Sequence, residues 1–293
     1  MYEMDQYTVS LLHFDDGIKD ESGKVWTANG GAAISTNQSK MGSKSLYLAG
    51  NQYLSTPNTT DFDFGAGDFT IDWWEYRTAA PTGNGALFCR GTSIQKSPIV
   101  IGIDVNANST NEAFSGSSNS NILRPSDYDI ALGSIFGTYD LNRWNHFAVC
   151  RKDTKFYLFK NGVLTTTFTS AGAFAVVDST SLIGKDRDNE VYFIGYIDEF
   201  RISKGIARWT ENFTPETPPT TETQLLRVTV SDSSDHDYQL SSTEIDSFVN
   251  WFMKHASTDT AGYMLNKKVG TQESKEYLAF EKIISFEVMP LTK

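Results

Sequence analysis

The stretch WNHFAVCRKDTKFYLFKNGVLTTTF, residues 144–168, decides the fold of the larger part of this chain. Its three runs, Trp144–Arg151, Lys155–Lys160 and Val163–Phe168, are rich in aromatic, β-branched and threonine residues, which favour strands. Asn161-Gly162 joins the second and third runs, and such a pair supplies the positive φ angles of a two-residue hairpin turn. The stretch therefore predicts consecutive antiparallel strands.

Similar short runs recur from residue 7 to about 212 between clusters of Gly, Asn, Asp and Ser, which is typical of an all-β sandwich or barrel. No helical period longer than two turns precedes residue 220. Residues 106–120 are polar and rich in Ser, Asn and Gly, and we predict a long loop there. The other predicted strands are Thr8–Phe14, Ser45–Leu54, Phe69–Tyr76, Ala86–Cys89, Ile99–Val105, Ser181–Ile183 and Gly195–Ile202.

Residues 214–223 are rich in proline and threonine, a composition that cannot join a central strand. We predict a linker there, between a domain at 1–213 and a small α+β module at 224–293. In this module Leu225–Val230 alternates as a strand, and two further strands are predicted at Gly262–Lys267 and Lys275–Val288, which gives the order β-α-β-β.

The helix of this module has both a start signal and an apolar face. Ser241 and Glu244 have the spacing of a capping box. Ile245, Phe248, Val249 and Phe252 follow at the spacing of one helical face, which predicts a helix to about residue 255. Trp251 lies roughly 100° away from Phe252 around the helix. We therefore expect Trp251 to contact a partner and Phe252 to pack in the core.

The composition excludes several classes of protein. A net charge of −11 disfavours binding to a phosphate backbone. The apolar runs are far shorter than a membrane span, so we expect no membrane insertion. The first ten residues carry Glu3 and Asp5 and lack the basic start of a secretory signal. Cys89 and Cys150 lie within apolar runs, and we predict two buried thiols, with a disulfide bridge as the alternative.

Four stretches together resemble the laminin-G-like, or concanavalin A-like, jelly rolls. The resemblance spans about residues 7–217 and implies two curved antiparallel sheets, in a family that binds carbohydrate, protein or calcium. The variant with the blocks DFDFG and YIDEFRIS is similar to those of bacteriophage and bacterial surface proteins. The four stretches are 12–54, with LHFDDG and SLYL; 61–76, with DFDFGAGDFTI; 144–163, with WNHFAV and NGV; and 195–215, with GYIDEFRIS.

In Phe69–Tyr76 the alternation of a strand puts Asp72, Trp74 and Tyr76 on one face. Two aromatic rings beside a carboxylate suit stacking on a sugar, and we predict a ligand-binding patch there. The alternative is that Trp74 and Tyr76 pack beneath loops. Glu75 falls on the apolar face, which suggests a strand end or a contact with another chain.

Asp198 is predicted to share a face with Tyr196, Phe200 and Ile202, so this carboxylate needs hydrogen-bond donors or a cation. Asp15, Asp16 and Asp20 could converge on it if the first and last strands pair, and these oxygens are of the kind that calcium prefers. We therefore predict at most one structural calcium ion and no other cofactor. The alternative is a hydrogen-bonded, structural Asp198.

No enzymatic motif is found. Asp72 with Glu75, and Asp198 with Glu199, have odd spacing and fall on opposite faces of their strands, unlike the paired carboxylates of a glycosidase. We predict a non-enzymatic virion component of a bacteriophage, made in the host cytoplasm, with a lectin-like domain anchored through its C-terminal module. Its predicted partners are other virion proteins, sister chains and host-surface glycan. The alternatives are a bacterial surface lectin or adhesin and, third, an unfamiliar glycosidase.

Overall fold

The computed structural model describes residues 1–79, 86–91, 98–103, 111–118, 129–186, 191–216, 223–255, 262–269 and 272–290. The chain forms two compact units, Met1–Glu216 and Thr217–Lys293. Most of the predicted linker, residues 217–222, lies outside the described residues. None of the helices in the described ranges is long and apolar enough to span a membrane.

In its described residues the first unit consists of strands and the loops that join them, apart from one 3-10 turn at Thr60–Phe62. In chain order its described strands are β1 Thr8–Leu12, β2 Thr27–Asn29, β3 Ala33–Ser35, β4 Ser45–Ala49, β5 Tyr53–Thr56, β6 Phe69–Arg77, β7 Ala86–Arg90, β8 Ile99–Ile103, β9 Asn111–Gly116, β10 Ala131–Thr138, β11 Trp144–Lys152, β12 Lys155–Lys160, β13 Val163–Thr169, β14 Ser181–Ile183 and β15 Ile194–Lys204.

These strands form two antiparallel sheets with one apolar core between them. The first sheet has the order β13-β12-β11-β6-β15-β4-β3, and β1 pairs with the end of β15; the second has the order β10-β9-β8-β7-β14-β5-β2. Trp73 and Phe147 of the first sheet and Phe88 and Phe114 of the second belong to the same buried cluster. The predicted jelly-roll sandwich is confirmed.

The hairpin turn at residues 161–162 has the predicted geometry. Asn161 and Gly162 have φ angles of 51° and 77°, and they join β12 to β13. The predicted strand Ser45–Leu54 is instead divided between β4 and β5, which lie in different sheets. The predicted loop at 106–120 is wrong in part: Asn111–Gly116 is strand β9, whereas residues 106–110 and 119–120 lie outside the described residues.

A β-bulge changes the predicted faces of β15. The register with β6 shifts between Asp198 and Arg201, and Glu199 has a φ of 49°. A bulge inserts one residue into the alternation and so reverses the faces beyond it. Phe200 therefore faces the core, and Asp198 shares the outer face with Arg201 rather than with Phe200.

The second unit has more strands than the sequence predicts. Ser241 and Glu244 form the capping box, and the helix begins and ends close to the predicted positions. Residues 235–241, for which no strand is predicted, form a strand, and the predicted strand at 275–288 is interrupted by a 3-10 turn. The described elements are β16 Thr223–Val230, β17 Asp235–Ser241, α1 Ser242–Lys254, β18 Gly262–Val269, β19 Gln272–Ala279 and β20 Ile283–Pro290, paired as β17-β16-β20 and β18-β19.

Both cysteines are buried thiols, as predicted, and no disulfide bridge joins them. Burial raises the pKa of the Cys150 thiol to about 12, so this side chain behaves as a small apolar group at neutral pH.

Candidate functional site

The predicted ligand patch on β6 is largely closed. Asp72 is fully buried and accepts two hydrogen bonds from the Arg201 guanidinium, each 3.0 Å long. Trp74 is only 5% exposed, with the Lys40 ammonium 4.1 Å from a ring centroid. Only Tyr76 of the predicted three is more than marginally accessible. The expectation of an open Asp72–Trp74–Tyr76 patch is therefore wrong, because chain segments outside the sheet cover it.

The cover comes from both ends of the first unit. The Tyr2 ring lies 3.8 Å from the Arg201 guanidinium carbon, and the Tyr2 hydroxyl is 2.8 Å from Nε2 of His146. Trp209 and Phe213 stack on each other at 3.8 Å between ring centroids and meet the His146 ring edge-on. These aromatic side chains exclude water from the polar groups beneath them.

The polar groups under this cover are paired with one another. Burial alone would raise the pKa of Asp72, but the Arg201 guanidinium and a hydrogen bond with His146 outweigh it and hold this pKa below its usual range. Burial lowers the pKa of His146. The hydrogen bond to Glu199 raises the pKa of His13. The arrangement fixes charges in a closed interior and leaves little room for a substrate.

Glu75 is fully buried and does not contact a partner chain, contrary to expectation. One of its oxygens accepts a hydrogen bond from Nε1 of Trp73, and the other pairs with Arg77 at 2.8 Å. Arg77 also pairs with Glu112 of the second sheet at 2.7 Å. Burial raises the pKa of Glu112 to about 8, although the Arg77 charge opposes this shift. A polar residue on the apolar face of β6 thus marks an ionic cluster between the sheets.

The four carboxylates predicted to bind calcium do not form a cluster that could hold a metal ion. No group of three or more His, Cys, Asp or Glu side chains within the described ranges has such an arrangement. Asp20 accepts hydrogen bonds from Ser10, from the backbone of Leu11 and from Trp26. Asp16 is exposed. Strands β1 and β15 do pair, as the hypothesis required.

Asp15 and Asp198 instead hold the segment of residues 40–44 against the sheet. Asp198 accepts hydrogen bonds from the backbone N–H groups of Lys40 and Met41, and Asp15 accepts one from the N–H of Ser43 at 2.7 Å. Burial raises the pKa of Asp198 to about 8, with smaller contributions from Glu199 and Asp15, against the lowering effect of the two N–H donors. Asp198 is a structural anchor in this arrangement.

Trp251 is half-buried and packs against the core cluster of the second unit. Its rings lie 5.1 Å from Tyr263 and 5.7 Å from Phe280, between centroids. Phe252 contacts the same Phe280 ring at 4.9 Å. The predicted contrast between a docking Trp251 and a core Phe252 is not seen in their burial, because both side chains are half-buried and both pack against Phe280.

An aromatic row crosses the outer face of the first sheet at the end where Tyr76 lies. The strand register places Tyr47 of β4 opposite Tyr196 of β15, Tyr196 opposite Tyr76 of β6, and Tyr76 opposite Trp144 of β11. Successive ring centroids are 4.8, 5.9 and 5.7 Å apart. Tyr196 is 8% exposed, whereas the other three rings are half-buried and keep part of their surface open. We call Tyr47, Tyr196, Tyr76 and Trp144 the aromatic row.

Beside this row lie the covered residues two positions further along three of the same strands, and we call these residues the wall. Asp198, Trp74 and His146 lie opposite one another, two residues from the row on their strands, and all three are buried. The Lys40 side chain lies over Trp74 and is itself partly exposed. Burial lowers the pKa of Lys40, and the nearby Asp198 opposes this change. The site therefore combines open aromatic surface with one amine donor at its edge.

Of the four members of the row, only Tyr76 is among the ligand-binding residues predicted from the sequence. Each of the other three is a single aromatic residue on the outer face of its own strand, for example Tyr47 between the core residues Leu46 and Leu48. That alternation is visible in the sequence, but only the register shows that the four rings meet.

The chain has a sequence match to a known family over more than half of its length. A model of the concanavalin A-like lectin/glucanases superfamily, of the laminin G type, matches residues 48–211. Comparison with curated protein sequences gives no match.

Two solved structures share the fold at low sequence identity. One is domain 4 of a GH43 extracellular arabinanase from Geobacillus stearothermophilus, in complex with arabinotriose; it is 18% identical, with a TM-score of 0.52, over 69% of this chain and 94% of that one. The other is the binding domain of Paraclostridial Mosquitocidal Protein 1, 13% identical, with a TM-score of 0.52, over 92% of this chain and 75% of that one.

Proposed function

This chain belongs to the concanavalin A-like lectin/glucanase superfamily, and we propose that its jelly roll binds carbohydrate through the aromatic row. The observation that carries this proposal is the alignment of four aromatic side chains on neighbouring strands of one sheet face. Aromatic rings offer a large apolar surface at little cost in side-chain entropy, and tyrosine hydroxyls can hydrogen-bond to sugar hydroxyls at the ring edges. The Lys40 ammonium supplies a further donor beside the row.

The similar structures favour binding over other roles. The arabinanase domain holds arabinotriose, and the mosquitocidal protein domain is a binding domain. Because fold alone does not establish function, the proposal depends on the row itself.

We propose a binding protein without hydrolytic activity. One acid pair with a member in each sheet, Glu75 and Glu112, is fully buried with Arg77 between the two carboxylates. A glycosidase needs its two carboxylates on either side of a bound sugar. On the outer face, Asp72 is held by Arg201 beneath Tyr2, and Asp198 is buried beneath residues 40–41, so both are shielded from substrate.

The finer proposal is that the chain is a bacteriophage virion protein, displayed on the particle surface with its C-terminal module bound to other virion proteins or sister chains. The resemblance of the blocks at 61–71 and 195–203 to phage and bacterial surface proteins supports this role. Many copies on one particle would turn weak single-site binding to host glycan into high avidity. The second candidate is a bacterial surface lectin, which the same blocks support equally.

Binding is tested with a glycan array probed by the full chain, followed by calorimetry on the strongest glycan. We expect Tyr76→Ala to abolish the signal. Tyr157→Ala is the matched control, because Tyr157 is a half-buried tyrosine of the same sheet, on β12, and is not a member of the row. Equal loss in both variants, or no glycan bound by the wild type, would contradict the proposal.

Location is tested by immunogold electron microscopy with antibody against the chain. Labelling of phage particles supports the virion role, and labelling of bacterial cell surfaces favours the lectin. Release of reducing sugar from any bound glycan would show that the protein is an enzyme after all.

A further inference from the structure

We infer that the aromatic row takes a linear glycan about three sugar units long, which runs across the strands and whose successive rings are rotated relative to one another. This inference depends on the proposed function, and it specifies the class of ligand. It follows from three features of the row, which are its length, the tilts of its rings and the wall beside it.

The length of the row sets the number of sugars. Four neighbouring strands span three inter-strand spacings, or roughly 14–15 Å at about 4.8 Å each. Three of the rings, Tyr47, Tyr76 and Trp144, are open at their surface, whereas Tyr196 is buried between Tyr47 and Tyr76. A sugar ring is about as wide as one strand spacing, so the row accommodates about three rings in sequence.

The tilts of the rings select the shape of the chain. The neighbouring open rings of Tyr76 and Trp144 are inclined by 61° to each other, and the buried Tyr196 ring is inclined by 35° to Tyr47 and by 81° to Tyr76. A sugar stacks with its ring plane parallel to the aromatic ring beneath it. A flat, ribbon-like polysaccharide would need coplanar aromatic rings and therefore fits the row poorly. A chain that twists between units can follow these changes of plane.

The wall sets the direction of the chain. Asp198, Trp74 and His146 are buried on one side of the row, under the segment at residues 40–41 and under Trp209 and Phe213. On the other side, Ala49, Thr78 and Arg143 are exposed. A ligand parallel to the strands would meet the wall on one side and leave the sheet at the strand ends on the other, so it would contact a single ring of the row. A ligand across the strands contacts every open ring and passes the Lys40 amine.

The test is a binding series with the full chain, from the monosaccharide to the hexasaccharide, in the arabinan, maltose, mannan and cellulose series, together with microcrystalline cellulose. In at least one series whose chains twist between sugar units, we expect the affinity to rise up to the trisaccharide and then to level off. We expect no binding of the protein to microcrystalline cellulose. Equal affinity for monosaccharide and trisaccharide, or preferential retention on cellulose, would overturn the inference while leaving carbohydrate binding intact. Failure of every sugar to bind would overturn both proposals.

Variants at the two ends of the row sharpen this test. Trp144→Ala and Tyr47→Ala should each reduce affinity for the trisaccharide by roughly 3- to 10-fold, the loss of one stacked ring. In each variant the affinity should level off at a glycan one sugar unit shorter than in the wild type, and the affinity for the monosaccharide should change little. Either variant serves if the other fails to fold, and Tyr157→Ala remains the control. An equal fractional loss of affinity for glycans of every length would contradict a site that extends over several sugar units.

Discussion

Replacing Arg77 by methionine should destabilise the jelly roll by about 3–5 kcal/mol. Arg77 pairs with Glu75 and Glu112 in the closed interior, and its guanidinium carbon lies 4.4 Å from the centroid of the Phe193 ring. Methionine retains apolar contact with that ring but leaves the Glu75 carboxylate without a cation, and above about pH 8 the Glu112 carboxylate as well. Removing one partner of a buried ionic cluster costs more than the cluster itself contributes, because the remaining charge stays desolvated.

A second substitution isolates the electrostatic part of this loss. In the double variant Arg77→Met/Glu112→Gln only the Glu75 carboxylate remains, and it keeps its hydrogen bond from Nε1 of Trp73 at 2.9 Å. At a pH above the Glu112 pKa of about 8, we expect the double variant to be more stable than Arg77→Met by about 1–3 kcal/mol, since one orphaned charge has been removed. Glu112→Gln alone should have a smaller effect, because its amide oxygen still accepts from Arg77.

The pH dependence supplies an independent check. The pKa of Glu112 is about 8 in the folded chain, against 4.5 for an unperturbed glutamate. Between pH 4.5 and about 8, Glu112 is protonated in the folded state and ionised in the unfolded state. The stability that this difference in proton binding contributes is therefore complete below pH 4.5 and is lost as the pH rises through about 8. Glu112→Gln should therefore flatten the decline in stability across this window.

The assay is urea unfolding of the full chain, followed by tryptophan fluorescence and circular dichroism at several pH values. Lys152→Met, which removes an exposed partner of Asp68, is the control and should leave the unfolding midpoint unchanged. The reasoning is refuted if Arg77→Met costs less than about 1 kcal/mol, or if Glu112→Gln fails to restore any stability to that variant.

Four further outcomes are expected. Gly162→Ala should lower the free energy of unfolding by about 1–3 kcal/mol, because the residue has a φ of 77° and a Cβ would collide with the carbonyl of Phe213; an unchanged urea midpoint would contradict this. Trp251→Ala should unfold the C-terminal module, at a cost of about 2–4 kcal/mol, whereas weakened assembly at an unchanged melting temperature would restore its docking role. Chelator should leave the melting curve unchanged, and a rise in melting temperature with added calcium would instead reveal a calcium site. Cys89 and Cys150 should react with a thiol reagent only after unfolding, since both are buried, and rapid labelling of the native chain would refute this.

The sequence by itself determined the features that depend on near neighbours. The Asn161-Gly162 turn and the capping box of Ser241 and Glu244 follow from local backbone preferences, so both are confirmed at the predicted residues. The alternation of apolar residues along β6 and β11 likewise gave the strands and the core face. The resemblance to the laminin-G-like family is confirmed by the family match over residues 48–211.

Only the tertiary structure decided the site, because register and sheet order join residues far apart in the chain. One bulge at Glu199 reversed the predicted faces of β15 and placed Arg201 against Asp72. Segments from the two ends of the first unit then covered this pair, so the predicted patch became interior. Tyr76 gained Tyr196 and Trp144 as neighbours because their strands lie on either side of its own. Periodicity within a strand specifies a face, whereas pairing between distant strands specifies which side chains share it.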